Sequence, residues 1–254
     1  MIKFFRKIRQ NLLMENKIGT YLKYATGEII LVVIGILIAL QINNWNEDRK
    51  NKITEADYYC RILEDFELND QLINQNYELT AKRIKLTKEL LKDLNNIPND
   101  RSVILNKFVA ALRHDVSAPS NITFEDLTSS GQLKLLTDIK LKNRLIEYST
   151  FLNNTLNLLK ENRNEMVKRY ADFELVTEFG YQDIEYLKKE LDEEHIAFLP
   201  NLNWTNDPAH PIFIKFQDNL IFILGMQIRQ KQHFYLLKQE MQEPMELLKD
   251  KKCK

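Results

Sequence analysis

The chain has 254 residues with 36 Lys and Arg, 36 Asp and Glu, four His, two Cys and a formal net charge of zero. Six Gly and six Pro are too few for a sheet-rich fold with many tight turns, or for Gly-rich phosphate loops, and two Cys allow one bridge but no disulfide framework. The charge is unevenly placed: residues 1–23 carry +5 (Lys3, Arg6, Lys7, Arg9, Lys17 and Lys23 against Glu15), which leaves −5 on the remainder and no basic face for nucleic acid.

Residues 1–23 interleave Ile2, Phe4, Phe5, Ile8, Leu12 and Leu13 with the cations. That pattern predicts a short basic amphipathic segment on the inner, anionic leaflet of a membrane, and it serves equally as a simple topogenic flank. Residues 24–46 follow, with Glu28 as their one charge and Ile29 to Leu40, IILVVIGILIAL, as their centre. A hydrocarbon core about 30 Å thick needs roughly 20 helical residues, so this stretch is long enough to span it. Tyr24 and Trp45 sit where interfacial aromatics belong, and the positive flank stays cytoplasmic. The exit, Ala39-Leu40-Gln41-Ile42-Asn43-Asn44-Trp45, lacks small residues at a cleavage spacing. The reading is therefore an uncleaved signal anchor rather than a removed signal peptide or a buried core helix.

Past the anchor, a heptad seam is predicted at Tyr59, Leu63, Phe66, Asp70, Ile73, Tyr77, Thr80, Ile84, Thr87, Leu91 and Leu94. It serves one face of an intramolecular bundle, with a self-associating coiled coil as the other option. Residues 95–100 form a turn, and Ser102 caps a helix to about Arg113. His114 to Asn121 is a loop. Thr123-Phe124-Glu125-Asp126 reads as a capping box, and Ser129-Ser130-Gly131 ends that helix. Thr137-Asp138 then caps a long helix closed by Gly180, Asp183 to Leu191 is a further short helix, and residues 200–211 are irregular around Trp204. The last long helix runs from Phe213 to about Lys249 with a bend near Pro244. Its apolar run Leu220 to Met226 is too short for a second span and is assigned to the core. The expected fold is all-α: a single N-terminal transmembrane helix followed by an elongated antiparallel helical bundle over 47–254.

The segment Tyr24 to Glu47, YATGEIILVVIGILIALQINNWNE, preceded by MIKFFRKIRQNLLMENK, resembles a family of single-pass membrane proteins of unknown function from Gram-negative bacteria. The likeness continues into NITFEDLTSSGQLKLLTDIKLKNRLIEYS, Asn121 to Ser149. Thr26 departs from it, where a more apolar residue is expected. The resemblance implies an inner-membrane protein with its N-terminus cytoplasmic and a helical periplasmic domain. The family carries no assigned activity, so no catalytic residue transfers from it.

Chemistry-bearing motifs are missing from the sequence. His114, His195, His210 and His233 stand outside helical metal spacings, and the Glu190, Glu194, His195 group reads as a solvated acidic face. There is no nucleophile elbow, Walker loop or dinucleotide fingerprint. No catalytic, cofactor-binding or metal-ligating residue is assigned, and no cofactor is expected. Cys60 and Cys253 are read as a small buried thiol and a free mobile one, with a bridge between them as the alternative that an exported compartment permits. The functional expectation is a membrane-anchored interaction protein whose exported bundle engages itself or a protein partner. A ligand-sensing bundle working with a separate signalling partner is the alternative, and an enzyme built from dispersed residues is the third option.

Overall fold

The computed structural model describes residues 18–96, 100–112, 117–171, 176–199, 202–251 and 253. The basic segment predicted at the N-terminus, part of the turn near Pro98, and His114 lie outside the described residues. Eight α-helices and three short 3-10 turns account for the described regular structure, and no strand occurs among these residues. They are α1 (Ile18–Asp93), α2 (Arg101–Leu112), α3 (Ile122–Ser129), α4 (Ile139–Ala171), α5 (Val176–Phe179), α6 (Glu185–Lys188), α7 (Glu193–Ile196) and α8 (Pro211–Lys249). The chain divides into two compact units, 1–57 and 58–254.

The first unit is helical from Ile18 onward and contains the apolar run. Ile29, Leu31, Val32, Leu37, Leu40 and Ile42 are each more than half exposed. α1 is the one helix among the described residues long and apolar enough to cross a membrane. Exposing so much contiguous apolar surface to water is costly, at about 25 cal/mol per Å², which is why such a stripe marks a lipid or protein contact.

The second unit is built on α1 from Tyr58 onward, α4 and α8. Arg144 of α4 ion-pairs with Glu240 and Glu243 of α8, and Asn219 of α8 donates to the Arg169 carbonyl of α4 at 3.1 Å. Those two anchors fix α4 and α8 antiparallel. Thr87 meets Gln227, and Lys238 donates to Asn74 at 2.6 Å, so α8 also runs antiparallel to α1.

The buried face of α1 follows Tyr59, Ile62, Phe66, Asn69, Ile73, Asn76, Thr80, Arg83, Thr87, Leu90 and Leu94. The alternation of three and four is as predicted, and every second member coincides: Tyr59, Phe66, Ile73, Thr80, Thr87 and Leu94. The others are each displaced by one residue, from Leu63 to Ile62, Asp70 to Asn69, Tyr77 to Asn76, Ile84 to Arg83 and Leu91 to Leu90. Hydrophobicity favours Tyr77 over Asn76 and Ile84 over Arg83. The fold favours the polar residue where a partner satisfies it, since a bonded buried amide costs little and an orphaned one about 1–3 kcal/mol.

Those partners sit largely on the non-helical stretch 117–121. Asn69 exchanges two hydrogen bonds with Ser120: its Nδ2 donates to the carbonyl at 2.5 Å and its Oδ1 accepts from the amide at 2.9 Å. One heptad on, Asn76 donates to the Ser117 carbonyl at 2.9 Å. Asp65 accepts from the Thr123 amide at 3.0 Å. The stretch therefore lies antiparallel to α1, held by side chains that take the place of a neighbouring strand.

This corrects the start of α3. The helix begins at Ile122, its N-cap residue Asn121 makes no side-chain cap bond, and a carboxylate from α1 caps it in place of the predicted box at Thr123. The Asp138 cap is as expected: its carboxylate accepts from the Leu141 amide at 3.0 Å and from Lys251 at 2.5 Å. Those bonds hold its pKa below the ordinary carboxylate value. Gly180, at φ +102°, ends the α5 turn. A Cβ there would come within 2.6 Å of the Arg101 guanidinium. That guanidinium is itself fixed by Asp183 at 2.6 and 2.8 Å and by the Leu202 carbonyl. The glycine thus serves both the left-handed backbone and a close approach.

The two cysteines are bonded to each other, Cα to Cα 5.3 Å, across 193 residues. The free-thiol reading is overturned. α8 returns along α1, and the offset set by Thr87–Gln227 and Asn74–Lys238 carries on to Cys60 and Cys253.

Candidate functional site

The apolar core of the second unit is in two parts. One gathers Phe66 and Ile73 with Phe124, Tyr148, Phe234 and Leu237. The other gathers Leu90, Phe108, Phe179, Trp204, Phe216 and Ile223. Aromatic rings dominate the second: Trp204 stacks on Phe179 at 5.5 Å and meets Phe216 edge-on at 5.3 Å, while its Nε1 donates to the Phe179 carbonyl at 2.9 Å.

Between these clusters lies a polar layer. α1 supplies Asn76, Thr80, Arg83 and Thr87, α4 supplies Thr155 and Asn162, and α8 supplies Gln227 and Gln230, all of them buried. Part of the layer is fully bonded. Thr87 lies 2.9 Å from Gln227 Oε1 and 3.0 Å from the Arg83 carbonyl, and Gln227 Nε2 donates to the Ala111 carbonyl at 3.0 Å. That chain ties α1, α8 and α2 together. Elsewhere in the layer, Asn162 Nδ2 and Gln230 Oε1 make no protein hydrogen bond. Gln230 is 4% exposed, so its free carbonyl oxygen is desolvated. The antiparallel register places Gln230 at the level of Arg83.

Gln230 also lines a half-open cavity of about 220 Å³ between α4, α8 and the 117–121 stretch. Leu156, Leu159, Phe234 and Pro119 form its apolar walls, and Lys160 and Arg163 belong to its lining as well. Both cations are exposed side chains on α4. Phe234 separates this cavity from a wider groove between α1 and α8, lined by Tyr77, Asn74, Tyr235 and Lys238. The cavity offers apolar contact and two exposed cations. It holds no nucleophile paired with a base.

Sequence reasoning assigned no site residue, and it missed this cavity. Its signals were polar residues at heptad-compatible positions, Asn76, Arg83, Gln227 and Gln230, which look like solvated positions until the helices are paired. Of the histidines, His195 Nδ1 lies 2.5 Å from Asp192 Oδ1 on the surface, and His210 accepts from the Ile212 amide at the start of α8. Burial, with Arg229 nearby, holds His233 below the usual imidazole pKa. Burial also pushes the Tyr148 hydroxyl's pKa up, with Asn69 pulling the other way. Among the described residues no three His, Cys, Asp or Glu side chains come together in a group able to hold a metal.

Residues 28–130 match the model of a family of unknown function (DUF6090), a span that runs from the apolar part of α1 to the end of α3. No curated protein and no solved structure matches the chain.

Proposed function

We propose that the chain is a membrane-anchored interaction protein of the bacterial inner membrane. Residues 24–46 are the uncleaved anchor, the N-terminus is cytoplasmic, and residues 47–254 form a periplasmic antiparallel bundle that engages itself or a protein partner. The Cys60–Cys253 bond supports export, because such bonds persist in oxidising compartments. The +5 charge ahead of the anchor supports the orientation.

The observation that carries the interaction reading is a stripe on α8. Ile214, Ile221, Ile228 and Tyr235 recur every seven residues, and each is close to half exposed or more. Gly225 lies on the same face between Ile221 and Ile228, with open space where a Cβ would sit. A seven-residue apolar repeat on an outward face suits a second helix packed along it.

The full chain in mild detergent is expected to run as a multiple of its 30.2 kDa mass or to retain a protein partner. Ile221→Lys with Ile228→Lys is expected to abolish that association without lowering the melting temperature, since both side chains are exposed. A strict 30.2 kDa species, with no partner recovered by crosslinking in cells, counts against the reading.

The cavity beside Gln230 favours a second reading. In it, the bundle senses a small molecule and acts with a separate signalling partner.

A further inference from the structure

We infer that the Cys60–Cys253 bond is a reversible redox clasp, opened and closed in the folded chain by exchange with a dithiol protein at the Cys253 sulfur. The inference goes beyond the interaction reading and does not depend on the α8 stripe.

Three observations carry it. The first is access. Cys253 is exposed and Cys60 is half-buried on α1. A bond buried in a core opens only when the fold does, whereas this one presents a sulfur to an incoming thiolate. The second is that α8 keeps its place without the bond. Met241 and Leu248 are buried in the core, Arg144 ion-pairs with Glu240 and Glu243, and Lys140 meets Glu243 at 3.1 Å. Opening the bond therefore loosens only the residues after Lys249. The third is a guide for closure. Lys251 lies 2.5 Å from the Asp138 carboxylate, and its ammonium sits over the ring of Tyr59, the residue before Cys60, at 5.2 Å from the centroid. Those contacts hold the segment carrying Cys253 beside Cys60 after the sulfurs part, so the two thiols keep a high effective concentration.

The two sulfurs have different roles. Lys251, Lys252 and Lys254 flank Cys253 in sequence, and nearby cations favour a thiolate. In reduction, a thiolate of the partner bonds to Cys253 Sγ, the Cys60–Cys253 bond breaks, and the electron pair leaves on Cys60 Sγ, which takes up a proton. The partner's second thiol then displaces Cys253. The partner ends as a disulfide, and its two electrons and two protons end on this chain. Closure is the reverse, with Cys253 as the exchanging sulfur and Cys60 as the resolving one.

The test is reduction of the full chain in mild detergent by dithiothreitol, followed by thiol alkylation beside circular dichroism. The native protein is expected to be reduced with its helical signal retained, at a rate within about thirtyfold of that in guanidinium. Exchange that needed global unfolding would be slowed by about a thousandfold or more. A native rate below the thirtyfold limit, or helix lost in step with reduction, overturns the inference. Cys60→Ser is expected to form a mixed disulfide with oxidised glutathione about tenfold faster than Cys253→Ser does. Equal rates, or the opposite order, overturn the assignment of Cys253 as the exchanging sulfur. Lys251→Ala and Asp138→Asn, the latter keeping a capping oxygen for α4, are each expected to shift the equilibrium with glutathione toward the dithiol by about three- to tenfold. Lys140→Ala breaks a nearby ion pair that does not involve Lys251 and is expected to leave that equilibrium unchanged. No shift in either guide variant overturns the role of the Asp138–Lys251 contact. None of these readouts depends on association, so a failure here leaves the interaction reading standing, and a failure of association leaves the clasp.

Discussion

Breaking the Cys60–Cys253 bond is expected to lower the melting temperature by about 10 °C, the shift corresponding to a loss of about 2–5 kcal/mol in a domain of this size. The bond closes a loop across 193 residues, so it removes conformational freedom from the unfolded chain over almost the whole second unit. The chain-entropy argument gives its largest values for loops of this length, about 5 kcal/mol as an upper figure. Cys60→Ser, Cys253→Ser and the double variant are expected to fall by the same amount, because each loses the same bond. Thermal unfolding with and without reductant, beside a thiol titration, checks this. Two thiols titrating in the untreated native protein, with no change in melting temperature on adding reductant, would show that the bond does not form.

The second large effect is expected at Trp204. The indole is 1% exposed, lies against Phe179, Phe213 and Phe216, and gives its one donor to the Phe179 carbonyl. Trp204→Ala is expected to cost about 3–5 kcal/mol, through lost burial and the cavity left behind. Trp204→Phe keeps most of the ring contact, leaves the Phe179 carbonyl without its donor, and is expected to cost about 1–3 kcal/mol. Chemical denaturation read by circular dichroism separates them. Equal costs for the two variants would mean that the hydrogen bond, and not the ring packing, holds the cluster.

Trp204 also marks a boundary in what the sequence discloses. Periodicity located the three long helices and the seven-residue repeat on α1, because a buried stripe must recur at helical spacing whatever it packs against. It could not decide between adjacent residues, since that choice rests on partners far away in the chain. Asn69 and Asn76 are inside because Ser120 and Ser117 present backbone groups to them. The irregular region around Trp204 has no period at all, so nothing local indicated that its indole is buried in the core.

Caps behaved in the same way. Asp138 caps through residues just downstream and was legible; the cap of α3 comes from Asp65, on another helix, and was not. The cysteine pairing needed the α1–α8 register, which follows only once Thr87 and Gln227 are known to meet. The cavity was least legible of all. The orphaned oxygen of Gln230 in the polar layer beside it is distinctive only through the absence of a partner, a property of the folded chain and not of the residue.

We propose that the apolar run anchors the chain and that the unit beyond it lies outside the cytoplasm. Alkaline phosphatase, which is active only after export, fused beyond Lys254 tests this most directly. An active, membrane-bound fusion in intact bacteria is the expected result. An inactive fusion would place the C-terminal unit in the cytoplasm and contradict both the topology and the proposed site of action.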